Sequence, residues 1–144
     1  MRIRAERDDL ADVFSRANRA IGTRSALPVL QGLLCEVSGS SLQVTGTDLE
    51  MTVRTELPVE VLAPGRGVIP GRLLEQAVRR MPKGEVTIGI EENEVEILGR
   101  GPRFGLRPLS ADDFPTLENS PLAGTEVDGD RLAKAIGQAV IAAS

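Results

Sequence analysis

Arg72, Gln76, Arg79 and Lys83 stand at i, i+4, i+7 and i+11, a polar stripe along one helical segment with Arg80 beside it. A guanidinium is a planar fork of donors that suits phosphate oxygens and carboxylates. Such a stripe can hold an anionic polymer, or it can be an ordinary solvated face whose arginines answer the dipole at a helix C-terminus. Of the 17 basic residues all but Lys83 and Lys134 are Arg, yet Asp and Glu number 21, the net charge is −4 and the pI is near 5.0. That balance argues against a protein that coats nucleic acid nonspecifically, so where the arginines point matters more than their sum. Other chemistry is sparse. The chain has no histidine, which excludes Ser-His-Asp triads and imidazole metal sites. Its one cysteine, Cys35, lies in the apolar run Leu33 to Val37 and reads as core, with no thiol zinc site and no disulfide framework. Asp112-Asp113 and the acidic run Glu91 to Glu94 offer acceptors without convergent ligands, so both read as solvated turns and no metal is expected. No glycine loop with Lys and Ser or Thr is present to cradle a phosphate. A small enzyme using a carboxylate pair has no motif behind it, and a non-catalytic protein without cofactor is expected.

The elements that position these residues follow from periodicity. Leu10, Val13, Phe14, Ala17 and Ile21 form one apolar stripe, predicting a helix from about Asp8 to Ile21, with Asp8 and Asp9 favouring its start and Gly22 available for a left-handed cap. Arg16 and Arg19 fall in its last turns. A second helix lies between Pro70-Gly71 and Pro82, its apolar positions being Leu73, Leu74, Ala77, Val78 and Met81. Elsewhere the period drops to two. Strands are predicted at Leu33 to Val37, Leu42 to Val44, Met51 to Leu57, Val86 to Ile90 and Val95 to Leu98, with hairpin turns at Ser38-Gly39-Ser40 and Glu91 to Glu94. Arg103-Phe104-Gly105-Leu106-Arg107 alternates, placing Phe104 and Leu106 on one face and both arginines on the other. Strands interrupted by two helices without βαβ alternation give an α+β module, helices covering one face of an antiparallel sheet.

The chain also begins twice. Arg4 to Leu10, opening the first helix, is echoed by Glu126 to Leu132, and Leu132 follows Leu10 by 122 residues. Behind each leucine, alanine and aliphatic residues recur at helical spacing, as expected of a modular array. One complete module of a repeated architecture is therefore expected at 1–121, and a linker, first strand and first helix of a second module at 122–144, a fragment of something longer. No apolar run approaches the ~18 residues of a membrane span. Met1-Arg2-Ile3-Arg4 reads as a charged strand rather than a signal sequence, so a cytoplasmic protein is expected.

Several blocks carry a resemblance. Gly22-Thr23-Arg24-Ser25-Ala26-Leu27-Pro28-Val29-Leu30, then Leu33-Leu34, then Thr45-Gly46-Thr47-Asp48-Leu49-Glu50-Met51, resemble the N-terminal domain of the bacterial DNA polymerase III beta subunit family, the sliding clamps. Val68 to Leu74 and Arg103 to Leu106 followed by Asp113-Phe114-Pro115 do so too, in the family's order and at compatible spacings. The resemblance implies a DNA clamp fold and a homodimeric ring of two head-to-tail subunits around duplex DNA, helices lining the hole, tethering DNA polymerase III as a processivity factor after a clamp loader has placed it. It implies sequence-independent DNA contact by Arg24, in the loop after helix one, and by Arg72, Arg79 and Arg80 on helix two, with Arg16 and Arg19 weaker candidates. It implies a dimer interface at Arg103, Phe104 and Leu106, basic residues there facing acidic ones across. Leu73 and Glu94 stand where some members carry further basic residues. The 144-residue chain alone is expected to be monomeric.

Local chemistry gives the fingerprint residues a plainer account. Pro28 restricts Leu27 to extended geometry, and Gly46 is expected to permit a tight turn that Asp48 closes through its side chain. The alternative function is a non-catalytic adaptor or scaffold that binds partners along a sheet edge.

Overall fold

The structure, a computed structural model, describes residues 1–22 and 27–115. Arg24, the boundary at 121 and the strand and helix of 122–144 lie outside the described residues. Strand β1 (Arg2–Glu6) runs directly into helix α1 (Arg7–Asn18), which starts with Asp8 and Asp9 in its first turn. The helix stops earlier than its apolar stripe suggests. The amides of Arg19, Ala20 and Ile21 bond to carbonyls three residues back, at 3.2, 3.2 and 3.0 Å, so the last turn tightens. A short 3-10 turn, Pro28–Gln31, leads into β2 (Gly32–Ser38), and β3 (Ser41–Thr47) and β4 (Thr52–Pro58) complete a meander. Then come β5 (Glu60–Ala63), β6 (Arg66–Pro70), helix α2 (Gly71–Arg79), β7 (Glu85–Glu91), β8 (Glu94–Leu98) and β9 (Arg103–Leu106).

Two antiparallel sheets form where the periodicity suggested one. The first has the order β5-β1-β7-β8-β9 and the second β4-β3-β2-β6. Strand–helix–three strands occurs twice, as β1-α1-β2-β3-β4 and as β6-α2-β7-β8-β9, and each leading strand crosses to the other half's meander. Ile3 of β1 pairs with Ile88 of β7, while Leu33 of β2 pairs with Ile69 of β6. Neither half can bury its apolar faces without the strand it receives, and the exchange ties residues more than 80 positions apart into one core.

That core joins both sheets and both helices. Ile3, Leu10, Phe14, Leu33, Ile69, Leu74, Met81, Ile88 and Ile97 are almost fully buried, each such side chain contributing about 1.5–3 kcal/mol of hydrophobic stabilisation. Cys35 sits among them, 1% exposed, and burial, followed by the neighbouring Glu36 carboxylate, pushes its thiol up to about 12.

Gly46 acts differently from the turn role its sequence suggests. It lies inside β3, where a Cβ would collide with the carbonyl oxygen of Ala17 in α1, so it allows helix and strand backbones to touch. The left-handed residue of the β3–β4 turn is Leu49, at φ 78°, a conformation costing a leucine about 1–2 kcal/mol. Local bonds hold it there. The buried Thr47 hydroxyl accepts from the Leu49 amide at 3.0 Å and donates to the Met51 carbonyl at 2.9 Å. Asp48 Oδ1 accepts from the amides of Glu50 and Met51 at 2.9 and 2.6 Å, closing the turn as expected of it.

Candidate nucleic-acid interface and subunit edge

The two helices lie side by side because small and polar residues meet at their crossing. A Cβ on Gly71 would collide with Asn18 Oδ1, and Asn18 Nδ2 donates to the Gly71 carbonyl at 3.0 Å and to Glu75 Oε1 at 2.9 Å. Glu75 in turn accepts from Arg79 Nε at 3.0 Å, so the Arg79 guanidinium is oriented through α2 from α1. Nothing in the spacing of the arginines announced this relay. Its signal, Asn18 at the end of one apolar stripe and Glu75 one turn before Arg79, becomes readable only once the helices are known to touch.

Arg72 and Arg79 are seven residues apart and superpose after two turns, and both are exposed. Arg80, Gln76 and Lys83 are exposed beside them. Arg19 and Arg80 are likewise exposed and, with Arg72, make no ion pair among the described residues. Arg16 pairs with Asp12 at 2.8 Å and is largely covered. Helix α2 therefore presents a guanidinium stripe to solvent on the side opposite Leu74, Ala77 and Val78, which are buried. Leu73 departs from the expected apolar stripe: it is 52% exposed and shares its row with Arg80.

The strand of Phe104 is a sheet edge. Among the described residues β9 pairs with β8 alone, through Leu106 with Val95 and Phe104 with Ile97, and no described strand lies on its other side. Arg103 and Gly105 are exposed, while Phe104 and Leu106 are half-buried against the main core on the side where α2 packs. Thus each apolar side chain is both core and rim. On the outer side Arg103 meets Glu96 at 3.6 Å. The tip of the β7–β8 hairpin, Glu91, Glu92, Asn93 and Glu94, is wholly exposed, with Glu92 at φ 46°.

Residues 1–118 match the family described as DNA polymerase III beta subunit, N-terminal domain. The beta sliding clamp of Micrococcus luteus is 34% identical over 144 residues, covering 100% of this chain and 46% of that protein. That of Escherichia coli K12 is 32% identical over 121 residues, 83% of this chain and 33% of the relative. The crystal structure of the DNA polymerase III subunit beta from Pseudomonas aeruginosa superposes with a TM-score of 0.77 at 32% identity, covering 84% of this chain and 33% of that one. The chain spans less than half the length of these relatives.

Proposed function

Because the chain belongs to the DNA polymerase III beta subunit family, in its N-terminal domain, we propose that it forms part of a ring-shaped sliding clamp that encircles duplex DNA and makes DNA polymerase III processive. The observation that carries this reading is the exposed row of Arg72 and Arg79 on α2, flanked by Arg80, on a protein whose net charge is −4. A clamp holds DNA by topology, so its inner wall needs weak, sequence-blind phosphate contact that leaves sliding free. A few guanidinium groups on an otherwise acidic body supply that contact without the strong nonspecific binding of a basic protein. Arg24, at the loop after α1, belongs to the same proposed surface. Arg103, Phe104 and Leu106 on β9, an edge strand among the described residues, are proposed to meet the neighbouring subunit.

The role proposed is an accessory one: polymerase activity belongs to the holoenzyme, and the clamp loader and polymerase engage the complete clamp. Residues 1–121 are proposed as the N-terminal clamp domain and 122–144 as the entry to the next domain. A replication factor of this kind acts in the cytoplasm, and no described helix is long and apolar enough to cross a membrane. The test is retention of the complete protein on nicked circular duplex after loading, compared with the same duplex linearised. A ring stays on the circle and runs off the free ends. Equal loss from both would remove the clamp reading and leave the adaptor reading, in which the β9 edge serves another partner. Replacing Arg24 and Arg72 together by Ala is expected to shorten retention on the circle with an unchanged circular dichroism spectrum. Unchanged retention would take both residues out of the DNA surface.

A further inference from the structure

Asn18, Glu75 and Arg79 form one chain of side chains from α1 across α2 to solvent, and its middle member has the chemistry the arrangement needs. Glu75 Oε1 accepts from Asn18 Nδ2 at 2.9 Å and Oε2 accepts from Arg79 Nε at 3.0 Å. Each carboxylate oxygen thus serves one partner, which a carboxamide, with a single acceptor end, cannot do. Asn18 is anchored in turn. Its Nδ2 also donates to the Gly71 carbonyl at 3.0 Å, while its Oδ1, buried against the Gly71 backbone, accepts no hydrogen bond among the described residues. A buried acceptor without a partner is costly, so this amide is placed for its donors, which are aimed at α2. Glu75 is thereby held with its side chain only 24% exposed, beside an Arg79 that is 55% exposed. The Nε of Arg79 is committed to the carboxylate, and its Nη donors remain for an anion. Arg72, in the same row of α2, forms no ion pair among the described residues.

We propose that Glu75, fixed by Asn18, is a positioning residue that mutes Arg79: it holds the guanidinium in place and cancels part of its charge, so that Arg79 touches passing phosphates without gripping them. The inference rests on the ring reading above. Two effects of the carboxylate oppose each other. Fixing the guanidinium lowers the entropy lost when it meets a phosphate and so strengthens the contact. The negative charge beside Nε repels the same phosphate and weakens it. Along a sliding duplex the second effect wins, because no single phosphate geometry persists for the fixed guanidinium to exploit, whereas the repulsion acts at every register. A ring held by topology gains nothing from a tight grip, and every phosphate contact that must be broken adds to the barrier for sliding. Arg72 supplies attraction on the same helix, and Glu75 limits what Arg79 adds to it.

The experiment follows the one-dimensional diffusion of the complete protein, loaded on long duplex DNA, by single-molecule fluorescence at low and high salt. Glu75→Gln removes the charge and can keep only one of the two bonds, so it is expected to slow diffusion about two- to fivefold at low salt, the difference shrinking at high salt. Asn18→Ala, which leaves the carboxylate but frees it from α1, should fall between wild type and Glu75→Gln. In an Arg79→Ala background Glu75→Gln should no longer slow the ring, since the effect passes through that guanidinium. Unchanged or faster diffusion in Glu75→Gln overturns the proposal, as does slowing that persists without Arg79. A merely structural bridge would lower the melting temperature of Glu75→Gln and Asn18→Ala and leave diffusion unaltered, which also overturns it. Failure of the ring reading is distinguishable: the protein would then leave circular and linear duplex equally fast. The muting is in that case read from equilibrium binding to linear duplex, which Glu75→Gln should tighten two- to fivefold at low salt, and unaltered affinity there sinks it.

Discussion

Cys35 and Asp48 show how position, rather than residue type, sets reactivity in this chain. Burial holds the Cys35 thiol protonated at any physiological pH, and only a thiolate attacks disulfides. The native chain is expected to leave Cys35 unlabelled by a chromogenic disulfide reagent, with labelling appearing at the rate of unfolding; rapid labelling under native conditions would contradict the packing. Asp48 carries the opposite shift. The amides of Met51 and then Glu50 bond its carboxylate and hold it below the usual aspartate range. A group whose folded pKa is lowered contributes stability above its ordinary value, near 3.9, and loses it as pH falls through the folded value. Melting temperatures of the wild type and Asp48→Asn, which keeps an acceptor but cannot titrate, should therefore converge below about pH 4. A constant difference across that range would show that the turn does not depend on the charge. Asp48 was legible as the closing residue of its turn because Asx chemistry is local. Leu49 was not legible as the left-handed residue, because the bonds that offset its strain come from Thr47, whose burial is a tertiary fact.

At the scale of elements, helix α2 divides into faces that a stability measurement can separate. Leu74 is fully buried, and Leu74→Ala should cost about 2–5 kcal/mol in denaturant unfolding. Leu73→Ala, one residue away and half exposed, should cost no more than ~0.5 kcal/mol. Similar losses at both positions would mean that the flank of Leu73 is covered. Gly46 makes the corresponding point for α1: Gly46→Ala sets a methyl against the Ala17 carbonyl and should cost about 1–3 kcal/mol by forcing α1 from β3. Helices and hairpins were readable from spacing alone, since the 3.6 and 2.0 periods are local. β5 and β6 were not read as strands, because Pro64, Gly65, Gly67 and Pro70 break the alternation through that stretch.

For the whole molecule the decisive feature is the exchange of leading strands, which makes one body of two similar halves and leaves β9 at the edge of its sheet among the described residues. An edge of this kind invites a partner, and head-to-tail closure needs a second, different surface. Full-length protein carrying Phe104→Asp is expected to fall from dimer to monomer, since a carboxylate buried without a partner costs several kcal/mol. An intact dimer would return Phe104 to a purely internal role.

The amino-acid sequence by itself determined the α+β class, the two helices, the hairpins and the family, because these rest on local periodicity, turn chemistry and ordered blocks such as Gly22 to Leu30 and Thr45 to Met51. It also marked Arg72, Arg79 and Phe104 as residues to follow. Only the tertiary structure decided that there are two sheets, that Arg79 is steered by Asn18 through Glu75, that Leu73 faces outward and that Glu94 overhangs Gly105. Each of these depends on residues far apart in the chain meeting across a packed interface, and no period along the sequence records which distant surfaces will touch.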